Sequence, residues 1–248
     1  MRLLAVYSIK GGVGKTSTAV NLAYASARQL HRTLLWDLDP QGASTYYFRV
    51  KPKVKGGASR LFGRRRRIER SIKATDFPYL DLLPTDASNR YADLILDTLK
   101  RPRRGLHKAV RELRKDYDVV LLDCPPSISL LSENVIRAAS ALIVPIIPTT
   151  LSLRTLEQLT ELCHQRTGEG LGILPFFSMV DRRKKLHREL VETLPTERPE
   201  MLTTQIPYAS LIEQMGLHRA PLAAYAASSP EAARYSELWN EVRRRVGL

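Results

Sequence analysis

Short apolar runs, each closed by a turn-forming or acidic residue, alternate along this chain with stretches whose apolar residues recur every three or four positions. The runs Leu3–Ile9, Thr33–Trp36, Tyr79–Leu83, Val119–Leu122, Ala141–Ile147 and Leu171–Val180 predict buried strands, and Ile206-Pro207 the end of a last one. Val20, Ala23 and Ala27 predict a helix behind the first strand, and Leu106, Ala109, Val110 and Leu113 another over residues 105–115. Further helices are expected from about Leu151 to Gln165 and over Glu231–Val246. The stretch from Ala43 to about Lys73 is polar, basic and interrupted by Gly56-Gly57, and reads as loop and polar helix without a packed core. Strands that are apolar throughout are covered on both faces. The expected fold class is therefore α/β, a mostly parallel twisted sheet with helices on both faces, in a single domain spanning 1–248.

Composition narrows the class. With 44% hydrophobic and 26% charged residues the chain has the balance of a folded protein. Its two cysteines, Cys124 and Cys163, stand 39 positions apart without a CxxC, which excludes a disulfide scaffold, a structural zinc site and a four-thiolate cluster within one chain. A reducing, cytoplasmic setting is expected. No apolar run approaches the roughly 20 residues that span a bilayer.

Charge adds a partner. Against 39 Lys and Arg stand 25 Asp and Glu, a net +14. Residues 49–73 carry 11 basic side chains and one acidic, 100–115 eight and one, and 182–188 five and none. Together these segments hold +22, which leaves the other 200 residues at −8. Basicity confined to patches, Arg64-Arg65-Arg66-Arg67 among them, predicts a polyanion. Without base-stacking aromatic motifs or a zinc finger, the expected contacts are to phosphates rather than bases.

The chemistry begins where the first strand ends. Lys10-Gly11-Gly12-Val13-Gly14-Lys15-Thr16 lies between a strand and a helix, and although Ile9 occupies the first glycine position of the general phosphate-loop pattern, Gly14-Lys15-Thr16 fit it. Glycines let successive N–H groups turn towards phosphate oxygens, and the helix starting at Lys15 aims its positive end at them. Lys15 is placed for the β- and γ-phosphates and Thr16 for Mg²⁺. Asp123, closing Val119–Leu122, is the carboxylate expected near the metal's water shell. Asp37 and Asp39 end the adjacent strand, where one could orient an attacking water.

Taken together, Lys10–Thr16, Asp37-Leu38-Asp39-Pro40-Gln41-Gly42, Leu121–Ser127, Ile206-Pro207 and Ser229–Tyr235 resemble the ParA/MinD family of deviant Walker-A P-loop NTPases, most closely its ParA (Soj) branch, along the whole chain. The resemblance implies an ATPase using ATP and Mg²⁺, slow alone and stimulated by a partner. It implies a nucleotide site of Lys10, Gly11, Gly12, Val13, Gly14, Lys15, Thr16 and Ser17, with Met179 and Pro207 around adenine. Lys10 would be the signature lysine that crosses to a partner's phosphates in an ATP-sandwich homodimer. Lys15 would serve its own nucleotide, Thr16 and Asp123 the metal (Asp123 through water), and Asp39 hydrolysis.

Among the family's outcomes, the cluster-bearing nitrogenase iron proteins are set aside, because neither cysteine stands in their cluster motif. A start directly at the first strand argues against an operator-reading N-terminal helix-turn-helix. Non-specific binding to nucleoid DNA is expected, gated by ATP because dimerisation joins two weak basic surfaces. The candidate contacts are Arg182, Arg183, Lys184, Lys185, Arg188 and Arg219. A ParB-like or cargo-adaptor protein would stimulate hydrolysis and so segregate or position plasmid, chromosome or protein cargo. The alternative is a MinD-like membrane-associated regulator, since Leu238, Trp239, Val242 and Val246 share a face beside Arg243-Arg244-Arg245. A P-loop ligase is a third class, for which the sequence offers no second substrate motif.

Overall fold

Seven strands form one sheet in the order β3-β4-β2-β5-β1-β6-β7. They are β1 (Arg2–Val6), β2 (Thr33–Asp37), β3 (Lys73–Ala74), β4 (Leu80–Leu83), β5 (Val119–Asp123), β6 (Ala141–Ile146) and β7 (Gly172–Phe177). All neighbours pair in parallel except β3, which runs antiparallel to β4 at the edge. The computed structural model describes residues 1–62 and 68–248, so the expectation for Arg64-Arg65-Arg66-Arg67 lies outside the described residues.

The helices are α1 (Lys15–Arg28), α2 (Ala43–Tyr47), α3 (Ala58–Phe62), α4 (Ala92–Asp97), α5 (Gly105–Glu112), α6 (Leu130–Ala138), α7 (Thr150–Thr167), α8 (Lys185–Glu197), α9 (Ser210–Glu213), α10 (Met215–His218), α11 (Leu222–Tyr225) and α12 (Pro230–Val246). Successive strand residues point to opposite faces, so the core splits in two. Leu3, Ala5, Leu34, Trp36, Val120 and Leu122 pack with Phe62, Leu96, Leu106, Leu131, Leu156 and Leu194 on one face. Leu4, Val6, Leu35, Val119 and Leu121 pack with Val20, Ala23, Leu238, Trp239 and Val242 on the other. This two-sided cover is why the strands read as apolar runs. The face of α12 weighed for a bilayer is thus spent on α1 and the sheet, with Leu238, Trp239 and Val242 fully buried. Among the described residues no helix is long and apolar enough to cross a membrane.

Two expectations need correction. The 43–73 segment does contribute to the core: Val54, Ala58, Leu61, Phe62 and Ile68 are buried, and Phe62 stacks on Trp36 with ring centroids 5.7 Å apart. Ala58, Leu61 and Phe62 sit at i, i+3 and i+4, a narrow stripe that the surrounding cations obscure in composition. The strand expected to end at Ile206-Pro207 is a single bridge, Val180 to Pro207, because proline has no N–H with which to extend a ladder.

Candidate phosphate and metal site

The parallel register sets β1, β2 and β5 side by side with their C-terminal ends at one rim, where Val6 lies opposite Asp123 and Asp37 opposite Asp123. From β1 the chain turns through the glycine loop into α1. Gly12 and Gly14 have φ of 69° and 85°, a region costly for any residue with a Cβ, and a Cβ on Gly14 would stand 2.9 Å from Ser178 Oγ. Gly14 caps α1 without a side-chain hydrogen bond, and the first turn holds no acidic residue. The first N–H groups of this helix therefore face the loop with the positive end of the helix dipole behind them.

Lys15 is buried, and its ammonium donates to the Lys10 carbonyl at 2.8 Å. Burial lowers its pKa, while Asp123 and Asp39 pull it back up. The Lys10 side chain points elsewhere, its Nζ 3.5 Å from Ser152 Oγ at the start of α7. Ser17 and Thr18 hydroxyls donate to the Gly14 carbonyl, bracing the loop against its helix.

The three carboxylates at the rim differ in their surroundings. Asp37 is spent: one oxygen accepts the Thr45 N–H (2.8 Å) and hydroxyl (2.7 Å), the other the Asp39 N–H. Asp123 accepts Ser44 Oγ on Oδ2 at 2.8 Å, while its buried Oδ1 has no partner among the described residues. Burial pushes both carboxyls above the ordinary range, with the Ser44 and Thr16 hydroxyls opposing the rise at Asp123. Asp39 is half-buried, and its Oδ1 accepts the Gln41 N–H at 2.9 Å. An orphaned carboxylate oxygen beside a threonine hydroxyl and a buried ammonium is the donor set a hydrated divalent cation and a phosphate chain need, so the residues present fit Mg²⁺ and a nucleotide.

Sequence reasoning missed Ser44 and Thr45, whose helix α2 ties both buried carboxylates in place. The signal in the sequence is Gly42 with two hydroxyl residues soon after Asp39-Pro40-Gln41; in the structure that glycine takes φ 67° and opens α2. The bridge between Val180 and Pro207 brings Met179, at φ 55°, and Pro207 to one place beyond β7, next to the Ser178 that approaches Gly14.

Of the basic candidates, five cluster at the start of α8. Arg183 pairs with Asp181 at 2.8 Å, Lys185 approaches Glu189, and Arg188 donates to the Arg182 and Arg183 carbonyls. Arg182 and Lys184 make no ion pair among the described residues and are exposed. Arg219 stands apart from them: its guanidinium lies over the Tyr46 ring, 4.4 Å from the centroid, and donates to the Tyr46 carbonyl.

A family model described as an AAA domain matches residues 1–168. The chain is 30% identical over 250 residues to the sporulation initiation inhibitor protein Soj of Bacillus subtilis, covering 97% of this chain and 98% of that one. To the chromosome partitioning protein ParA of Myxococcus xanthus it is 29% identical over 252 residues, covering 98% and 88%. Among solved structures, cobyrinic acid a,c-diamide synthase of Mycobacterium smegmatis with bound ATP analog and magnesium superposes with a TM-score of 0.80 at 28% identity, over 100% of this chain and 97% of that one.

Proposed function

We infer the function from one premise: this chain belongs to the ParA/MinD family of P-loop ATPases. On that premise it is a partition or positioning ATPase that uses ATP and Mg²⁺, dimerises around the nucleotide, binds DNA without sequence preference and lets go when a cargo-bound partner stimulates hydrolysis. The observation that supports this most is the pairing of an uncapped glycine-loop helix with the unpartnered Oδ1 of Asp123.

Mg-ATP supplies the phosphoryl group and the divalent charge that neutralises it. Backbone N–H groups of Gly11 to Thr16 bind and orient the phosphates. Lys15 exchanges the Lys10 carbonyl for phosphate oxygens, which also frees the loop carbonyl to move. Thr16 and Asp123 would hold the metal, Asp123 through water, and Asp39 would orient the attacking water. Lys10, whose only side-chain partner among the described residues is a long contact to Ser152, is free to swing towards the phosphates of a second copy. The exposed cations of 182–188 meet DNA phosphates, and two copies joined by ATP double that footprint.

The buried face of α12 leaves the membrane-associated reading without its anchor. The likeness to the Mycobacterium synthase favours a second reading, an ATP-dependent synthase built on the same loop. Gel shift on random-sequence DNA and co-sedimentation with anionic liposomes, each with ADP and with ATP, separate the possibilities. DNA binding in ATP only is expected, and Lys10→Ala abolishes both the ATP-dependent dimer and the shift. DNA binding that is absent or indifferent to nucleotide overturns the partition reading.

A further inference from the structure

The basic segment after α2 builds a cleft of about 610 Å³ whose walls are Val50, Lys51, Lys53 and Lys55 on one side and Arg70, Ser71, Lys73 and Ala74 on the other. The first wall is fixed from behind: Lys53 N–H bonds the Lys51 carbonyl across Pro52, and Val54, itself buried, donates its N–H to Asp86 Oδ2 at 2.8 Å. The second is held by the Ser71 N–H on the Ile68 carbonyl and by the β3–β4 pairing of Lys73 with Leu82. None of the five cations makes an ion pair among the described residues, whereas neighbouring Arg49 is neutralised by Asp76 at 2.8 Å. Ser71, 1% exposed, contributes a buried hydroxyl with no hydrogen-bond partner among the described residues. Five unneutralised cations around an unsatisfied hydroxyl describe an anion site, and they exceed what one phosphate group needs.

The surface suits an extended, hydrophilic anion. Interfacial membrane binding couples cations to inserted apolar side chains. Here Val54, Leu61, Phe62 and Ile68 all turn inward to the core and Val50 and Ile72 are partly buried, which leaves no exposed large apolar side chain among the described residues of this segment to insert. A regular row of phosphates fits the remaining surface.

The cleft lies at the β3 edge of the sheet and the 182–188 cluster beyond β7 at the other, both at the rim that carries the phosphate loop. Six strand spacings of about 4.8 Å separate the two edges by roughly 29 Å. We propose that the cleft of Lys51, Lys53, Lys55, Arg70 and Lys73 is a second DNA-backbone site, independent of the cluster at the start of α8, with Ser71 donating to a phosphate oxygen. This rests on the DNA-binding reading above and adds a second contact with the duplex, at the β3 edge of the sheet, opposite the edge that carries the 182–188 cluster.

The test measures affinity for a short random-sequence duplex with Mg-ATP over a range of salt. Four proteins are compared: wild type, K51A/K53A/K55A, R182A/R183A/K184A/K185A and Ser71→Ala. Loss of three phosphate contacts lowers the slope of log K against log salt by about 3 and weakens binding on the order of 100-fold near physiological salt. Ser71→Ala, a neutral donor, lowers affinity a few-fold with the slope unchanged. All the altered residues lie outside the nucleotide cradle, so unchanged ATP binding and circular dichroism certify the fold. Wild-type affinity and slope in the lysine variant, with loss in the arginine-lysine variant, overturns the cleft and leaves the partition reading standing. No binding by wild type overturns that reading first. Loss of phosphatidylglycerol vesicle binding in the lysine variant with DNA binding intact assigns the cleft to membrane and overturns the proposal.

Discussion

Asp37 and Asp123 stand side by side on adjacent strands, fully buried, and burial, joined by repulsion from Asp123 at Asp37 and from Asp39 at Asp123, holds both above the ordinary carboxylate range. One of them, Asp37, is compensated by Thr45; the other keeps an oxygen unsatisfied. That is the pattern of a residue retained for chemistry at the expense of stability. Asp123→Asn is expected to raise the melting temperature of nucleotide-free protein, by on the order of 1 kcal/mol or 2–4 °C for a chain this size. The same change is expected to cut ATP turnover by about 100-fold or more, since it weakens the metal site. Calorimetry and a phosphate-release assay check the two halves, and a variant destabilised in the absence of nucleotide contradicts the assignment. The sequence makes Lys15, Thr16 and Asp123 readable, because loop, lysine and strand-end carboxylate are contiguous signals. It does not separate Asp37 from Asp39, whose difference lies in what α2 folds over.

Elements were legible to the extent that their hydrophobic period was strong. β1, β2, β5 and β6 stand within a residue or three of their apolar runs, because strands covered on both faces carry no polar interruptions. Helix α3 was not legible as core, since five residues give one apolar stripe and the chain around it is basic. Its burial gives a direct check. Phe62→Ala removes a ring stacked on Trp36 at the centre of one core face and is expected to destabilise the fold by about 3–5 kcal/mol, measured by denaturant unfolding. A cost under about 1 kcal/mol would mean that α3 is a surface appendage. The edge strand β3, of two residues, carries too little pattern for any periodicity to register.

At the scale of the whole molecule, the charge is uneven rather than merely large. The +14 of the chain combines three segments holding +22 with a body at −8, and the segments include, at both edges of the sheet, cations that make no ion pair among the described residues. Like charges gathered within each patch repel, and salt screens that repulsion over a Debye length of about 8 Å at physiological ionic strength. The protein free of DNA and nucleotide is therefore expected to gain thermal stability as salt rises from about 0.01 M to 0.15 M. With DNA bound, the same addition should lower stability by releasing the ligand. Thermal melts with and without duplex check the sign of each slope; parallel slopes contradict a polyanion-binding rim. The sequence reveals the patches, but not that two of them fall at opposite edges of the sheet, because strand order is set by pairing between distant segments.

Helix α2 closes the circuit between these scales. Its consecutive residues Ser44, Thr45 and Tyr46 hold Asp123, Asp37 and Arg219 respectively. Five residues with three contacts leave little room for independent movement, so a ligand that draws Asp123 away from Ser44 is expected to disturb the contact between Tyr46 and Arg219 as well.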